Sequence, residues 1–168
     1  HTMGCLSPAF EVLGLEEHGL QWLHPPASLA HPLDGGQCVM LEQSIDATAA
    51  QLGVDERDYR ELVSPFVRSP KKLFADLLAP LGLPRQPLTL ARLGLLGFRS
   101  ARALAFGKFR AEPARALFAG CAGHGVQPLE NPLTAAFGLT FLLAGHIKTW
   151  PVARGGSSSI ASALLDYC

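Results

Sequence analysis

An apolar segment near the carboxyl end constrains the fold of this chain more than any other feature. Residues 133–144 carry no charged side chain, and the Trp150-Pro151 turn follows them. The segment is far shorter than the roughly 20 residues that a membrane span requires. It therefore predicts a buried helix, for which Asn131-Pro132 is the expected cap.

The rest of the chain predicts a mainly α fold with a small β-hairpin or sheet. Asp34-Gly35-Gly36 is typical of a hairpin turn, because glycine adopts positive φ, and it separates predicted strands at 28–33 and 37–41. Helix starts are predicted at Ser44, Asp55, Ser69-Pro70, Ser100 and Glu112-Pro113.

The sequence around Asp55 predicts a helix start in the most detail. Asp55 is expected to cap the helix, and Val54 to pack against Tyr59. We expect the carboxylates of Asp55, Glu56 and Asp58 to complement the helix dipole. The apolar face of this helix is predicted to consist of Tyr59, Leu62, Val63 and Phe66.

Composition indicates one domain, at residues 4–168, after residues 1–3 that resemble a vector remnant. Charged residues make up only 17% of the chain, against an average near 25%. Such a chain is expected to leave apolar surface for a partner to cover. The net charge is zero, so electrostatics give no reason to expect a nucleic-acid partner.

The four cysteines predict neither a disulfide framework nor a metal site. Cys5, Cys38, Cys121 and Cys168 are not at C-x-x-C spacing, and no histidine lies at zinc-finger distance from them. We expect free thiols and a cytoplasmic location.

Nucleophilic catalysis has weak support in the sequence. Ser157, Ser158 and Ser159 follow Gly155-Gly156, but no G-x-S-x-G elbow is present, so they are predicted to cap a helix. His124 and His146 are candidate catalytic or ligand residues, although a hydrogen-bonded core or capping role is the simpler interpretation of each.

The aromatic residues leave two alternatives open, a packed core or an apolar ligand cavity. The candidates for a substrate pocket are Phe98, Phe106, His124, Phe137, Phe141 and His146.

Segments Ser7–Pro32 and Arg115–Leu164 resemble the phytoene dehydrogenase-like, carotenoid desaturase-related FAD-dependent oxidoreductases. The pieces that carry the resemblance include S-P-A-F-E-V-L-G-L-E-E-H-G-L-Q-W and G-H-I-K-T-W-P-V-A-R-G-G-S-S-S-I-A-S-A-L. The resemblance covers the inserted substrate or cap domain only. A G-x-G-x-x-G fingerprint is absent, so this chain is not expected to bind FAD or to be active alone.

The resemblance implies a parent protein whose FAD removes hydride from a hydrophobic substrate, with isoprenoids as one candidate class. It implies a junction with the missing FAD-binding domain at Trp150, Pro151, Gly155, Gly156 and Ser157. The exposed interface is a candidate for dimerisation, and peripheral membrane association of the parent stays open. The alternative is a stand-alone helical module that binds an apolar ligand or a partner protein.

Overall fold

The computed structural model describes residues 1–78, 80 and 82–168 and confirms the predicted fold class. The chain is 60% helical, with small antiparallel strand pairs. The helices are α1 (Thr2–Leu6), α2 (Pro8–Leu13), α3 (Ile45–Ala50), α4 (Glu56–Val67), α5 (Pro70–Leu78), α6 (Pro87–Gly97), α7 (Ala101–Lys108), α8 (Glu112–Gly123), α9 (Thr134–Lys148) and α10 (Ser158–Tyr167). The strands are β1 (Trp22–Leu23), β2 (Ala27–Pro32), β3 (Cys38–Glu42) and β4 (Val152–Ala153).

Helix α9 is the buried helix that the apolar segment predicts, and α8, α6, α7, α4 and α1 pack around it. Two of its glycines allow close approach. A Cβ on Gly138 would lie 2.8 Å from the Phe118 ring, and one on Gly145 would lie 2.5 Å from Leu41 Cδ2. The core of the molecule therefore depends on glycine at these two helix positions.

The predicted cap of α9 at Asn131 is wrong by two residues, because Leu133 is the residue that precedes the helix. Leu133 adopts a left-handed conformation (φ 71°) immediately before the helix. The Thr134 hydroxyl donates to the Asn131 carbonyl at 2.7 Å and accepts from the Ala101 amide at 2.8 Å. The helix start is thus fixed by a contact with α7, which the local sequence does not reveal.

The hairpin prediction is confirmed, with β2 and β3 joined by a tight turn at Asp34–Gly36. Leu29 pairs with Leu41 and His31 pairs with Val39 in antiparallel register. Val39 and Leu41 are fully buried, so the inward face of β3 packs on α8 and α9.

Helix α4 has its predicted apolar face, but Asp55 does not cap it. Tyr59, Leu62, Val63 and Phe66 are all buried. The Asp55 carboxylate is also fully buried, and it accepts hydrogen bonds from the backbone amides of Arg110 at 2.8 Å and Ala111 at 2.7 Å. It ties the start of α4 to the start of α8.

Two smaller predictions in this region are corrected. Val54 is 72% exposed and does not pack against buried Tyr59. Ser44 caps α3 by accepting from the Ala47 amide at 3.2 Å, as predicted, but the helix, which we expected to run through Leu52, ends at Ala50.

A second, smaller core forms where the two ends of the chain meet. Leu15, Leu20, Ala153 and Ala163 are buried together, and β1 pairs antiparallel with β4. Residues 1–3 also contact the folded chain, with Met3 packed against the main core. Thr2 is buried, and its hydroxyl donates to the Thr149 carbonyl at 3.4 Å.

The four cysteines are free thiols within the described part of the chain. None of the helices that the structure describes has the length and apolar character to cross a membrane.

Candidate functional site

A cavity of about 640 Å³ lies between the amino-terminal helices, the start of α5 and the end of α9. We call it the amino-terminal cavity. Leu15, Leu20 and Phe74 are buried and form its floor, while Phe10 and Trp22 are half-buried at its sides. The interior is therefore mainly aliphatic and aromatic, as in small-molecule sites.

The local sequence folds around this cavity because α2 ends at a left-handed glycine. Gly14 has φ 59° and lets the chain reverse after Leu13. The Leu20 amide then donates to the Leu15 carbonyl at 3.1 Å, which brings both leucines to the floor. The Trp22 strand pairing with Ala153 fixes the far wall.

Charged side chains surround the mouth of the cavity. Lys71 and Glu11 form an ion pair of 3.1 Å, with both side chains largely exposed. The other charged residues that line the cavity are Glu16, Lys72, Arg85 and Lys148. An apolar interior with a charged mouth suits a ligand that has one polar end.

The Cys5 thiol also lines the amino-terminal cavity, where burial disfavours its reactive thiolate form. Burial raises the pKa of Cys5 to about 11. The thiol is therefore protonated near neutral pH, and the thiolate is the reactive form. The cavity can therefore bind and orient a ligand beside a protonated Cys5 thiol.

A neighbouring cavity of about 440 Å³ shares Gly4 and Phe10 with the first. It contains His124, Phe141 and Trp150. The His124 ring centroid lies 4.8 Å from each of the other two rings, and Trp150 Nε1 donates to the Phe141 carbonyl at 3.2 Å. His124 and Phe141, predicted as pocket residues, thus contact Trp150, which was predicted at the junction with the FAD-binding domain.

Three other predicted pocket residues lie on the surface and line neither cavity. Phe98 is 69% exposed, Phe106 56% and Phe137 44%. Phe106 is covered in part by the Arg115 guanidinium, 4.3 Å from its ring centroid. None of these three phenylalanines lines the cavity that contains His124 and Phe141.

His146 is a core residue, as its simpler interpretation predicts. Its Nε2 lies 2.6 Å from the Tyr59 hydroxyl and its Nδ1 lies 3.2 Å from the Gln43 carbonyl. Since a carbonyl only accepts, Nδ1 carries the proton and Nε2 accepts from Tyr59. Burial lowers the pKa of His146, which keeps the ring neutral.

The predicted serine caps before α10 are wrong. Ser157 makes no side-chain cap bond, and the Ser159 hydroxyl donates to the Arg154 carbonyl at 2.7 Å. Ser157 does contact the His1 imidazole at 2.9 Å, but in an exposed position without a third described group that orients the ring. The serines form no triad among the described residues.

The glycine turn before α10 does not fit a dinucleotide. Gly155 and Gly156 are exposed, with φ of 83° and 96°, and their positive φ explains the choice of glycine. They follow β4, which has two residues and pairs antiparallel with β1, whereas a dinucleotide site needs a parallel βαβ unit with its fingerprint. Pro151 is buried and Trp150 half-buried beside this turn.

Comparison with protein-family models, curated proteins and solved structures finds no match to this chain. No group of three or more His, Cys, Asp or Glu side chains could hold a metal ion within residues 1–78, 80 and 82–168.

The residues of the amino-terminal cavity were not predicted as a site. Phe10, Leu15, Leu20 and Trp22 lie in one short amino-terminal segment, where apolar residues alternate with glycines and carboxylates. An amphipathic segment with a tryptophan is the signal that could have found them. Phe74 is a buried residue of α5, and the cavity lies against that helix.

Proposed function

We propose that this chain is the substrate-binding domain of an FAD-dependent oxidoreductase resembling the phytoene dehydrogenases. In this proposal the amino-terminal cavity receives a hydrophobic substrate. The chain itself contributes binding and orientation, and a flavin held by a separate domain supplies hydride chemistry.

One observation carries the proposal. The two segments with the longest resemblance, residues 7–22 and 145–164, pack against each other although they lie at opposite ends of the chain. Trp22 pairs with Ala153, and the Arg154 amide donates to the Gln21 carbonyl at 2.9 Å. The amino-terminal cavity lies beside the contact between these two segments, since Trp22 also lines it.

The size and lining of the cavity support a small apolar ligand. Its volume of about 640 Å³ lies inside the range of roughly 300–1,000 Å³ that is usual for ligand sites. A methylene moved from water to such a lining gains about 0.8 kcal/mol. Several buried methylenes therefore give measurable affinity without any polar contact.

The binding half of the proposal is tested with N-phenyl-1-naphthylamine, a neutral apolar fluorescent probe. We expect saturable binding to the 168-residue chain. Ala75→Phe should weaken it at least tenfold, because Ala75 lines the cavity and a phenyl ring would occupy it. Ala103→Phe, on the exposed face of α7, is the matched control and should bind as the wild type. Equal probe binding by both variants would contradict the assignment.

The oxidoreductase half is tested on the polypeptide of the complete reading frame. We expect that polypeptide to carry stoichiometric flavin, with an absorbance band at about 450 nm, and this chain alone to be colourless. A complete reading frame that ends with this domain, or a longer product without flavin, would contradict the parent assignment.

A surface patch favours a second candidate function, a module that binds a partner protein. Phe98, Val126, Leu133 and Phe137 are exposed near the start of α9, and the Leu133 amide donates to the Phe98 carbonyl at 3.4 Å. An apolar patch of this kind is a common feature of interfaces. Sedimentation should then show association that Phe137→Ser abolishes, while a monomer at high concentration would contradict this function.

A further inference from the structure

Positive charge is concentrated at the mouth of the amino-terminal cavity. The chain as a whole has zero net charge. The charged residues that line the cavity are four basic ones (Lys71, Lys72, Arg85 and Lys148) and two acidic ones (Glu11 and Glu16). Only Lys71 among the four basic residues forms an ion pair with a described residue, and its partner is Glu11.

Helix stability does not account for the two lysines of α5. Lys71 and Lys72 lie in the first turn, which contains no acidic residue. Positive charge is unfavourable there, because the helix dipole already places partial positive charge at that end. Lys148 differs, since it lies in the last turn of α9, where the dipole favours a cation.

The same cavity combines these basic residues with a buried apolar lining. Leu15, Leu20 and Phe74 are nearly inaccessible to solvent, whereas Lys72 and Arg85 are exposed at the rim. A ligand that satisfies both regions has an apolar chain at one end and a negative charge at the other.

We infer that the amino-terminal cavity binds a single-chain amphiphile with an anionic headgroup. The chain packs on the apolar floor, and the headgroup stays at the mouth beside Lys72, Arg85 and Lys148. The inference rests on the proposed function, since it names the substrate class of the same cavity. It does not depend on the flavin domain.

The expected preference for an anion is moderate, because the cations are exposed. Exposed ion pairs contribute about 0.2–1 kcal/mol each, which is roughly 1.4- to 5-fold in affinity. Three such cations give a preference on the order of tenfold at low ionic strength. Salt screens exposed charges within about 10 Å at 0.1 M, so the preference should fall as salt is added.

Isothermal titration calorimetry on the 168-residue chain tests this, with ligands below their micelle concentrations. Dodecanoate should bind about tenfold tighter than dodecanol, and dodecylammonium should bind weakest. Decanoate should bind more weakly than dodecanoate by up to about 16-fold, from about fourfold per buried methylene. Dodecyl phosphate is compared with dodecanoate. Tighter binding of dodecyl phosphate would indicate a phosphate-type headgroup, and tighter binding of dodecanoate a carboxylate.

Charge-reversal variants locate the headgroup. Lys72→Glu and Arg85→Glu should each weaken dodecanoate several-fold and leave dodecanol unchanged. Arg154→Glu is the control, since Arg154 is exposed, forms no ion pair with a described residue and does not line the cavity. Its affinity for dodecanoate should stay within twofold of the wild type.

The outcomes separate this inference from the proposal beneath it. Equal affinity for dodecanoate and dodecanol, or tighter binding of dodecylammonium, would overturn the anionic headgroup while the apolar cavity stands. A preference for dodecanoate that Lys72→Glu and Arg85→Glu both leave intact would overturn its placement at this mouth. No binding of dodecanol or of the neutral naphthylamine probe would refute the proposed substrate-binding function itself.

Discussion

Replacement of Asp55 tests how the start of α4 is joined to the start of α8. The buried carboxylate accepts two backbone hydrogen bonds, at 2.8 Å from Arg110 and 2.7 Å from Ala111. Asp55→Ala would leave two amide donors without their partner in a site closed to solvent. Asp55→Asn keeps the shape and one acceptor oxygen, but its NH₂ group would face a second donor.

The structure gives the magnitude of each effect. A hydrogen bond to a charged group contributes about 1.5–3 kcal/mol. Loss of both bonds in Asp55→Ala should therefore lower the free energy of unfolding by about 3–6 kcal/mol. Asp55→Asn should cost about 2–3 kcal/mol, since one of the two bonds survives.

Asp58→Asn is the control for the simpler explanation, in which these carboxylates only complement the helix dipole. Asp58 lies in the same first turn of α4, and loss of a dipole interaction costs about 0.3–1 kcal/mol. Urea denaturation measures all three variants, with an unchanged m-value as the check on two-state comparison. An Asp55→Asn cost no larger than that of Asp58→Asn would refute the bridging role.

Two further predictions concern the buried helix α9. Gly145→Ala should destabilise the fold by about 1–3 kcal/mol, because its Cβ would lie 2.5 Å from Leu41 Cδ2. The control Gly94→Ala, in α6, has no atom within 4 Å of its Cβ and should instead stabilise the fold by up to about 1 kcal/mol. Similar thermal unfolding of the two variants would contradict the close packing at Gly145. The pKa of His146 is lowered by burial, so the unfolded state binds its proton first as pH falls below about 6.5. The stability it contributes is therefore complete above that pH and declines below it, by at most about 1.4 kcal/mol per pH unit. Between pH 6.5 and 5.5, the free energy of unfolding should fall less steeply for His146→Gln than for the wild type. A residual slope is expected from His31, because burial lowers its pKa as well. Equal slopes for the variant and the wild type would contradict the prediction.

The sequence predicts much of the local structure that neighbouring residues determine, although the serine caps before α10 and the contact of Val54 with Tyr59 are exceptions. The hairpin turn at Asp34-Gly35-Gly36, the serine caps at Ser44 and Ser100, and the apolar face of α4 are all confirmed. Each depends on contacts within a few residues along the chain. The apolar segment likewise predicts a buried helix, because a run without charges cannot face solvent over its whole circumference.

Predictions that needed a distant partner were wrong. Asp55 has the spacing of a helix cap, yet its hydrogen-bond donors lie 55 and 56 residues away. The start of α9 moves to Thr134 because of a bond to Ala101. At Asp55 and at Thr134, a hydrogen-bond partner that is distant in the sequence replaces the local partner that the sequence pattern predicts.

The candidate site was only partly predictable for a similar reason. The amino-terminal cavity draws its lining from residues within 4–22, 70–75 and 147–148 and from Arg85, which meet only in the folded chain. Phenylalanine content indicated a pocket, but it could not separate buried Phe74 from exposed Phe98 and Phe106. His124, Phe141 and Trp150 were each selected from the sequence, although their contact was not.

The most direct test of the account locates a bound neutral ligand by NMR. Intermolecular nuclear Overhauser effects from dodecanol should reach the rings of Phe10, Trp22 and Phe74, which line the amino-terminal cavity. Effects confined to Phe98 and Phe137 on the surface patch, or none at saturating ligand, would contradict the claim that this cavity binds an apolar substrate.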